Sequence, residues 1–322
     1  MILIISGPGD VHTEIVERRL REKGVEVAVL DLGDLPAVAT ASAWVDRRSP
    51  LRARVGAIDL EKVRSIWFRR PQLPRGDADL DPEDQEFARD ESLSLLLGLA
   101  RALDDRFWVN PPLAALATDA GRGKLAQLEL ARRVGLAIPR TLATNDPDAA
   151  REFVRSCPGG AIYKPFRTPL RREGETVSAV FTNRLDERAI EKLDQVRHAP
   201  CIFQELVEKQ FELRVTVIGK KAFACEIHSQ EEERSRVDFR RTADPRGTLH
   251  RVHELPEAVA RRVVALDEAL GLVFGAVDMI LTPAGEYVFL ENNQQGQFLW
   301  LEELAGQPLL EPFCDMLIRG AV

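Results

Sequence analysis

What the chain has little of narrows the field first. Four cysteines, Cys157, Cys201, Cys225 and Cys314, are spread over 322 residues with no CxxC and no Cys/His cluster. That spacing excludes a disulfide scaffold or a zinc ribbon and fits unpaired thiols in a reducing compartment. The histidines, His12, His198, His228, His250 and His253, show no metal-ligand spacing, and His250-Arg251-Val252-His253 reads as a surface pair. GxSxG and HExxH are missing, which argues against a serine hydrolase or a zinc peptidase. No apolar run approaches the ~20 residues of a membrane span, and the start, MILIISGPGD, reads as a strand and turn, not as a signal peptide. A basic excess is also missing: the net charge of -7 argues against a general nucleic-acid binder. The expectation is a cytoplasmic protein with neither nucleic acid nor membrane as partner.

What is present is an ordinary globular composition, 45% hydrophobic and 30% charged, with length enough for two lobes. Strand Ile2–Ser6, a helix near Thr13–Lys23 and strand Val25–Leu30 set a β-α-β rhythm that implies parallel strands. A short strand, Ser65–Arg69, precedes a helix from about Glu83 to Leu103, whose Phe87, Leu93, Leu96, Leu97 and Ala100 suit a buried stripe. Asn110-Pro111-Pro112 reads as a linker. A second unit holds a helix around Lys124–Val134, strands Ile138–Thr144 and Ala161–Phe166, and a basic loop, Arg167–Glu175. The third is mostly antiparallel: Cys201–Val207, Phe211–Ile218, Ala222–Ser229 and a final hairpin, with a helix at Pro256–Leu270.

That hairpin, Gly275–Gln297, turns at Thr282-Pro283-Ala284-Gly285. Pairing Leu281 with Glu286 puts Asp278 opposite Phe289, and Glu291 and Asn293 follow on its face. Two carboxylates and an amide then converge, a donor set suited to Mg²⁺, which takes one or two carboxylates and fills its shell with phosphate and water. In Phe211–Ile218 the apolar residues alternate with Glu212, Arg214 and Thr216. A Gly219-Lys220-Lys221 loop puts Ile218 opposite Ala222, Arg214 opposite Glu226 and Glu212 opposite His228. Two readings of that face stand: a solvated sheet surface with weak ion pairs, or one wall of a triphosphate cleft. Lys164 ends a strand, and Lys124 follows Gly121-Arg122-Gly123, which is not a P-loop. Gln204–Val207 can offer backbone groups to an adenine edge. Asp238, Arg240 and Arg241, in the mixed-charge run Glu231–Arg241, are candidate substrate contacts.

In this order, Lys124, Lys164, Gln204-Glu205-Leu206-Val207, Glu212–Val215, then Asp278, Glu291 and Asn293, the chain resembles the ATP-grasp ligases. Its finer likeness is to the microviridin-type (graspetide) peptide maturases. It is carried by Ile66–Pro71, Trp108–Pro112, Lys124–Pro147, Phe181–Leu185, Gln204–Gln230, Val237–Arg240 and Glu291–Leu309. Two departures stand out: Gln294 replaces the family's proline, and no asparagine precedes Lys124.

The resemblance implies an α/β (α+β) ATP-grasp fold. Residues 1–112 would form an α/β pre-ATP-grasp lobe, 113–200 a central lobe, and 201–322 a C-terminal lobe with the metal site, ATP being clamped between the last two. The implied cofactors are ATP and Mg²⁺, and the partners a ribosomal precursor peptide and a second copy of the chain. Lys124 and Lys164 would hold phosphates, the backbone of Glu205, Leu206 and Val207 the adenine, and Glu212 the ribose. Asp278, Glu291 and Asn293 would hold metal, and Arg214 the transferring phosphoryl group. Asp238 and Arg240 would meet the peptide, and Gln295–Trp300 would shape the acceptor pocket. The product would be a side-chain ester or amide macrocycle. Rival readings are a ligase that adds a free amino acid, an ATP-grasp kinase, and a nucleotide-binding regulator.

Overall fold

The computed structural model describes residues 1–118, 123–166, 170–173, 176–179, 182–231, 239 and 246–322. The apolar run β1 (Ile2–Ser6) is buried along its whole length. α1 (Val11–Glu22) starts at Asp10, whose carboxylate accepts the Thr13 N–H at 2.9 Å and so satisfies one of the donors a helix start leaves open. β2 (Val27–Leu30) follows, then a small antiparallel sheet of β3 (Ala41–Trp44), β4 (Arg52–Val55) and β5 (Ile58–Asp59). β6 (Ser65–Arg70), α2 (Pro82–Ala102) and β7 (Phe107–Val109) complete the first lobe. Its main sheet runs β2-β1-β6-β7, all parallel. Such strands need cover on both faces. Leu3, Ile5, Ile66 and Phe68 pack with Leu99 and Leu103 on one side, while Ile2, Ile4 and Trp67 join a different core on the other.

Two expectations for this lobe need correction. Of α2 only Leu99 is buried, with Leu96 and Ala100 partly buried against the same core; Phe87 is 67% exposed and Leu97 38%. Asn110 is no linker residue. It is buried, donates to the carbonyls of Phe274 and Gln294 at 2.8 and 3.0 Å, and accepts the N–H groups of Val273 and Phe274. Its amide fastens the first lobe to the third.

α3 (Pro112–Thr118) and α4 (Lys124–Arg133) come next. The central lobe then adds β8 (Thr141–Thr144), α5 (Pro147–Arg155), β9 (Ala161–Lys164), β10 (Leu170–Glu173), β11 (Thr176–Ala179), β12 (Asn183–Arg184), α6 (Glu187–Glu191) and β13 (Cys201–Glu205). The loop expected over 167–175 contains a strand, β10, paired with β11 as a hairpin. The strand expected to open the third unit, β13, pairs instead with β8 and β9 in the sheet β12-β9-β13-β8. Its Cys201 and Phe203 pack against Ala150 and Leu193 there. α4 crosses the other way, with Leu128 and Ala131 in the core of the C-terminal sheet.

That sheet comprises β14 (Phe211–Ile218), β15 (Lys221–Ile227), β16 (His250–His253), β17 (Phe274–Leu281) and β18 (Tyr287–Asn293), with α7 (Glu257–Ala269) between β16 and β17. It is antiparallel in the order β16-β15-β14-β17-β18. As the alternation requires, Phe211, Leu213, Val215 and Val217 face the α4/α7 core. α8 (Trp300–Ala305) leads to α9 (Leu310–Arg319), which returns to the first lobe and packs on α1 and β6. Phe313, Cys314 and Leu317 thereby share one core with Ile2, Ile4, Val16 and Trp67. All four cysteines are free and buried, and burial pushes the Cys225 and Cys314 thiols up to about 11 and about 12. No described helix is long and apolar enough to cross a membrane.

Candidate active site

The hairpin register differs from the expected one in a way that improves the site. Gly285, at φ +83, closes a tight turn in which its N–H donates to Thr282, so Leu281 pairs with Tyr287, not Glu286. A bulge between Met279 and Asp278 then sets Asp278 directly opposite Glu291, and Ala276 opposite Asn293. On the next strand Arg214 lies opposite Asp278. Arg214, Asp278 and Glu291 therefore form one row across β14, β17 and β18.

The β14–β15 register also corrects the expectation. Gly219 (φ +60) and Lys220 make a two-residue turn, so Ile218 pairs with Lys221, Arg214 with Cys225 and Glu212 with Ile227. A slip of one residue changes face, and Glu226 lies on the side away from Arg214. There it bonds His228 at 2.8 Å and His253 at 2.7 Å, and His253 also meets the Tyr287 hydroxyl. His253 is thus part of a sheet network, not of a surface pair. Burial opposes ionisation of Glu226, but the two imidazole bonds outweigh it and hold the carboxyl below its ordinary value.

The face bearing Glu212, Arg214 and Thr216 is buried, which removes the reading of a solvated surface. Arg214 Nε lies 3.3 Å from Asp278 Oδ1 without hydrogen-bonding geometry, Nη1 donates to Ala276 O at 3.3 Å, and the guanidinium stands 5.9 Å from the Phe239 ring. Asn293 Nδ2 is 3.4 Å from Asp278 Oδ2. Lys124, the first residue of α4, places Nζ 3.9 Å from Glu291 Oε2 and donates to the Pro165 carbonyl at 3.0 Å. It therefore bridges the C-terminal sheet and the end of β9, where Lys164 stands. Glu212 accepts from Lys209 Nζ at 2.5 Å and from the Ser229 hydroxyl. In Glu205-Leu206-Val207 the N–H groups of Glu205 and Leu206 go to the carbonyls of Arg140 and Gly160; the Val207 N–H has no backbone partner among the described residues. Asp238 and Arg240 lie outside the described residues.

Several contributors escaped the sequence reading. The loop after β18 is held by buried polar groups of the first lobe. Asn110 takes the Gln294 carbonyl, Arg69 donates to the carbonyls of Gln295 and Gly296, and His12 Nε2 accepts the N–H groups of Phe298 and Leu299 at 3.0 and 3.2 Å. Gln294 donates its side-chain amide to Ala115 O at 2.6 Å. Burial, then the Arg69 charge, holds His12 down to about 4. Burial pushes Asp10 up, but Arg69 and the Thr13 N–H outweigh it and leave the carboxyl below its usual value. Behind the row Arg214–Asp278–Glu291, Asp267 is fully buried and accepts from Asn292; burial pushes its carboxyl up to about 8. Of these residues, Arg69, Asn110 and Asn292 fall inside the family-like strings Ile66–Pro71, Trp108–Pro112 and Glu291–Leu309; Asp10 and Asp267 carried no separate signal.

Residues 1–115 match the family model described as the MvdD pre-ATP grasp domain. Among solved structures, the macrocyclase MdnB of Microcystis aeruginosa MRC is 32% identical, with a TM-score of 0.78 over 98% of each chain. The chain belongs to the microviridin-type ATP-grasp ligases. A RiPP-associated ATP-grasp ligase from Chryseobacterium gregarium, solved with ADP and a leader and core peptide, is 27% identical, with a TM-score of 0.89 over 100% of this chain and 97% of that one. A probable alpha-L-glutamate ligase of Marinobacter nauticus is 26% identical over 190 residues, 58% of this chain and 60% of that relative's length.

For an ATP-grasp ligase the donor set is chemically apt. Among the described residues no group of three or more His, Cys, Asp or Glu side chains is arranged to hold a metal by itself. Two carboxylates and an amide fit an ion that completes its shell with phosphate and water. Lys124 and Arg214 already lie against those carboxylates, so the site is a balanced cluster of charges that an incoming polyphosphate can join.

Proposed function

We propose that this chain is an ATP-dependent ligase that forms side-chain ester or amide macrocycles in a ribosomally made precursor peptide. The observation that carries the reading is the row Arg214–Asp278–Glu291, closed by a lysine that touches both Glu291 and the Pro165 carbonyl beyond β9. It is supported by likeness over the full chain to a ligase solved with ADP, leader and core.

An Asp or Glu side chain of the peptide takes the γ-phosphoryl group of ATP, giving an acyl phosphate and ADP. A Ser or Thr hydroxyl, or a Lys amine, then attacks that carbonyl; phosphate leaves and the nucleophile loses its proton. Two anions must approach for the first step, and their repulsion is the main barrier to it. Lys124 and Lys164 neutralise the α/β-phosphates, and Arg214, buried with its Nε making no hydrogen bond among the described residues, meets charge on the transferring group. The backbone of Glu205–Val207 holds adenine, Glu212 the ribose. Asp278, Glu291 and Asn293 would hold Mg²⁺, which supplies Lewis-acid stabilisation of phosphate oxygens when bound. Asp238 and Arg240 are proposed peptide contacts. The lobes are proposed as 1–112, 113–200 and 201–322, with β13 lent to the central sheet. A homodimer is the proposed assembly, in which Phe87 and Leu97 of α2 would be covered.

Incubation with ATP, Mg²⁺ and precursor peptides encoded beside the gene, read by mass, tests the function. Loss of one water mass per bond, with ADP and phosphate released, supports macrocyclisation. The glutamate-ligase relatives favour a second reading, addition of a free amino acid, which would increase the mass of the acceptor. A stable gain of a phosphoryl group would instead identify a kinase.

A further inference from the structure

β18 is the edge strand of its sheet, so its outward N–H and C=O groups need partners from elsewhere. At Asn292, between Glu291 and Asn293, one side chain supplies both. Gln127 Nε2 donates to the Asn292 carbonyl and Gln127 Oε1 accepts the Asn292 N–H, each at 2.9 Å and buried. A primary amide thus docks where the next strand would lie. The Asn292 side chain is held in turn by Asp267 at 2.5 Å. Gly275 makes room for that contact: a Cβ there would lie 2.5 Å from Asp267 Oδ2 and 2.6 Å from Asn292 Oδ1. The Phe289 N–H donates to Ala137 O at 2.8 Å, so the segment following α4 grips the same strand.

Gln127 is three residues beyond Lys124 and on the same face of α4. The helix therefore meets the strand at two adjacent residues: Lys124 reaches the Glu291 carboxylate and Gln127 the Asn292 backbone. We propose that Gln127 is a positioning residue that locks α4 against β18 and so sets the separation of the Lys124 ammonium from Glu291 and Asn293. The phosphate-binding and metal-binding halves of the site then move as one body. This rests on the reading of Lys124 as a phosphate ligand and of Glu291 and Asn293 as metal ligands.

A mere cap for a strand edge would behave differently. Its loss would lower the melting temperature and leave nucleotide affinity of the folded protein unchanged. The test uses the full chain, titrating ADP with excess Mg²⁺ well below the unfolding temperature, alongside a melting curve without nucleotide. Gln127→Met keeps length and removes both bonds; ADP affinity is expected to fall about 10–100-fold, the usual cost of losing a supporting partner at a metal site. In a Lys124→Met background the same change should have no further effect, because Gln127 acts through the lysine. If Gln127→Met does not fold, Gln127→Asn, which keeps a neutral amide but falls one methylene short of the strand, takes its place, with a loss of ADP affinity in the same direction. Unchanged affinity in the folded variant, or additive losses in the double variant, would overturn the coupling alone. A wild-type chain that fails to bind ADP would overturn the nucleotide site and the coupling with it.

Discussion

His12 offers a quantitative test of how the first lobe grips the loop that follows β18. Its Nε2 accepts two consecutive N–H groups, from Phe298 and Leu299, so the ring must be neutral with its proton on Nδ1. Burial and Arg69 hold the ring at about 4 against an ordinary 6.5, with the Asp10 charge pulling the other way. Between those values the unfolded chain binds a proton that the folded chain refuses. Stability is therefore full above pH 6.5, falls as pH drops toward 4, and is then flat in this group. Each pH unit is worth about 1.4 kcal/mol, a ceiling on the order of 3 kcal/mol that residual solvent screening lowers. His12→Gln retains a carbonyl acceptor and removes the titration. The difference in urea unfolding free energy between wild type and His12→Gln, measured across this range, isolates the group. A flat difference, or wild type gaining stability in acid relative to the variant, would refute the neutral clamp.

Glu291→Gln should abolish ATP turnover while the melting temperature stays near that of wild type; near-normal product would refute the metal assignment. Gly275→Ala drives a methyl group onto Asp267 and Asn292 and should cost about 1–3 kcal/mol by urea denaturation. Arg69→Met leaves Asp10 buried with its main countercharge gone, which should destabilise by about 3–5 kcal/mol in the same assay.

Much of the fold was legible because its signals are local. The apolar run at Ile2–Ile5, the turn residues Thr282–Gly285 and the alternation in Phe211–Ile218 each state their own element. The juxtaposition of Asp278, Glu291 and Asn293 was legible for the same reason: all three lie on one hairpin. What failed depends on counting or on distance. The turn shifts the register by one residue and the bulge by one more, and no composition marks either, so the partner of Asp278 was misassigned by two positions. A turn one residue shorter moved Glu226 to the other face. Asn110 looked like punctuation because two prolines follow it, yet its amide finds partners more than 160 residues away. Gln127 and Asn292 are ordinary polar residues in sequence; only an uncovered strand edge gives them work.

The shared core of the first strand and the last helix bears on how the molecule can be divided. Residues 1–115 match a domain by pattern, but Ile2, Ile4, Val16, Leu20 and Trp67 complete their packing only with Phe298, Phe313, Cys314 and Leu317. Excised, that segment would expose one face of a parallel sheet to water. The pre-ATP-grasp lobe is therefore a unit of descent without being a unit of folding, and its final closure must await contacts spanning almost the whole chain, the kind of long-range pairing that slows folding.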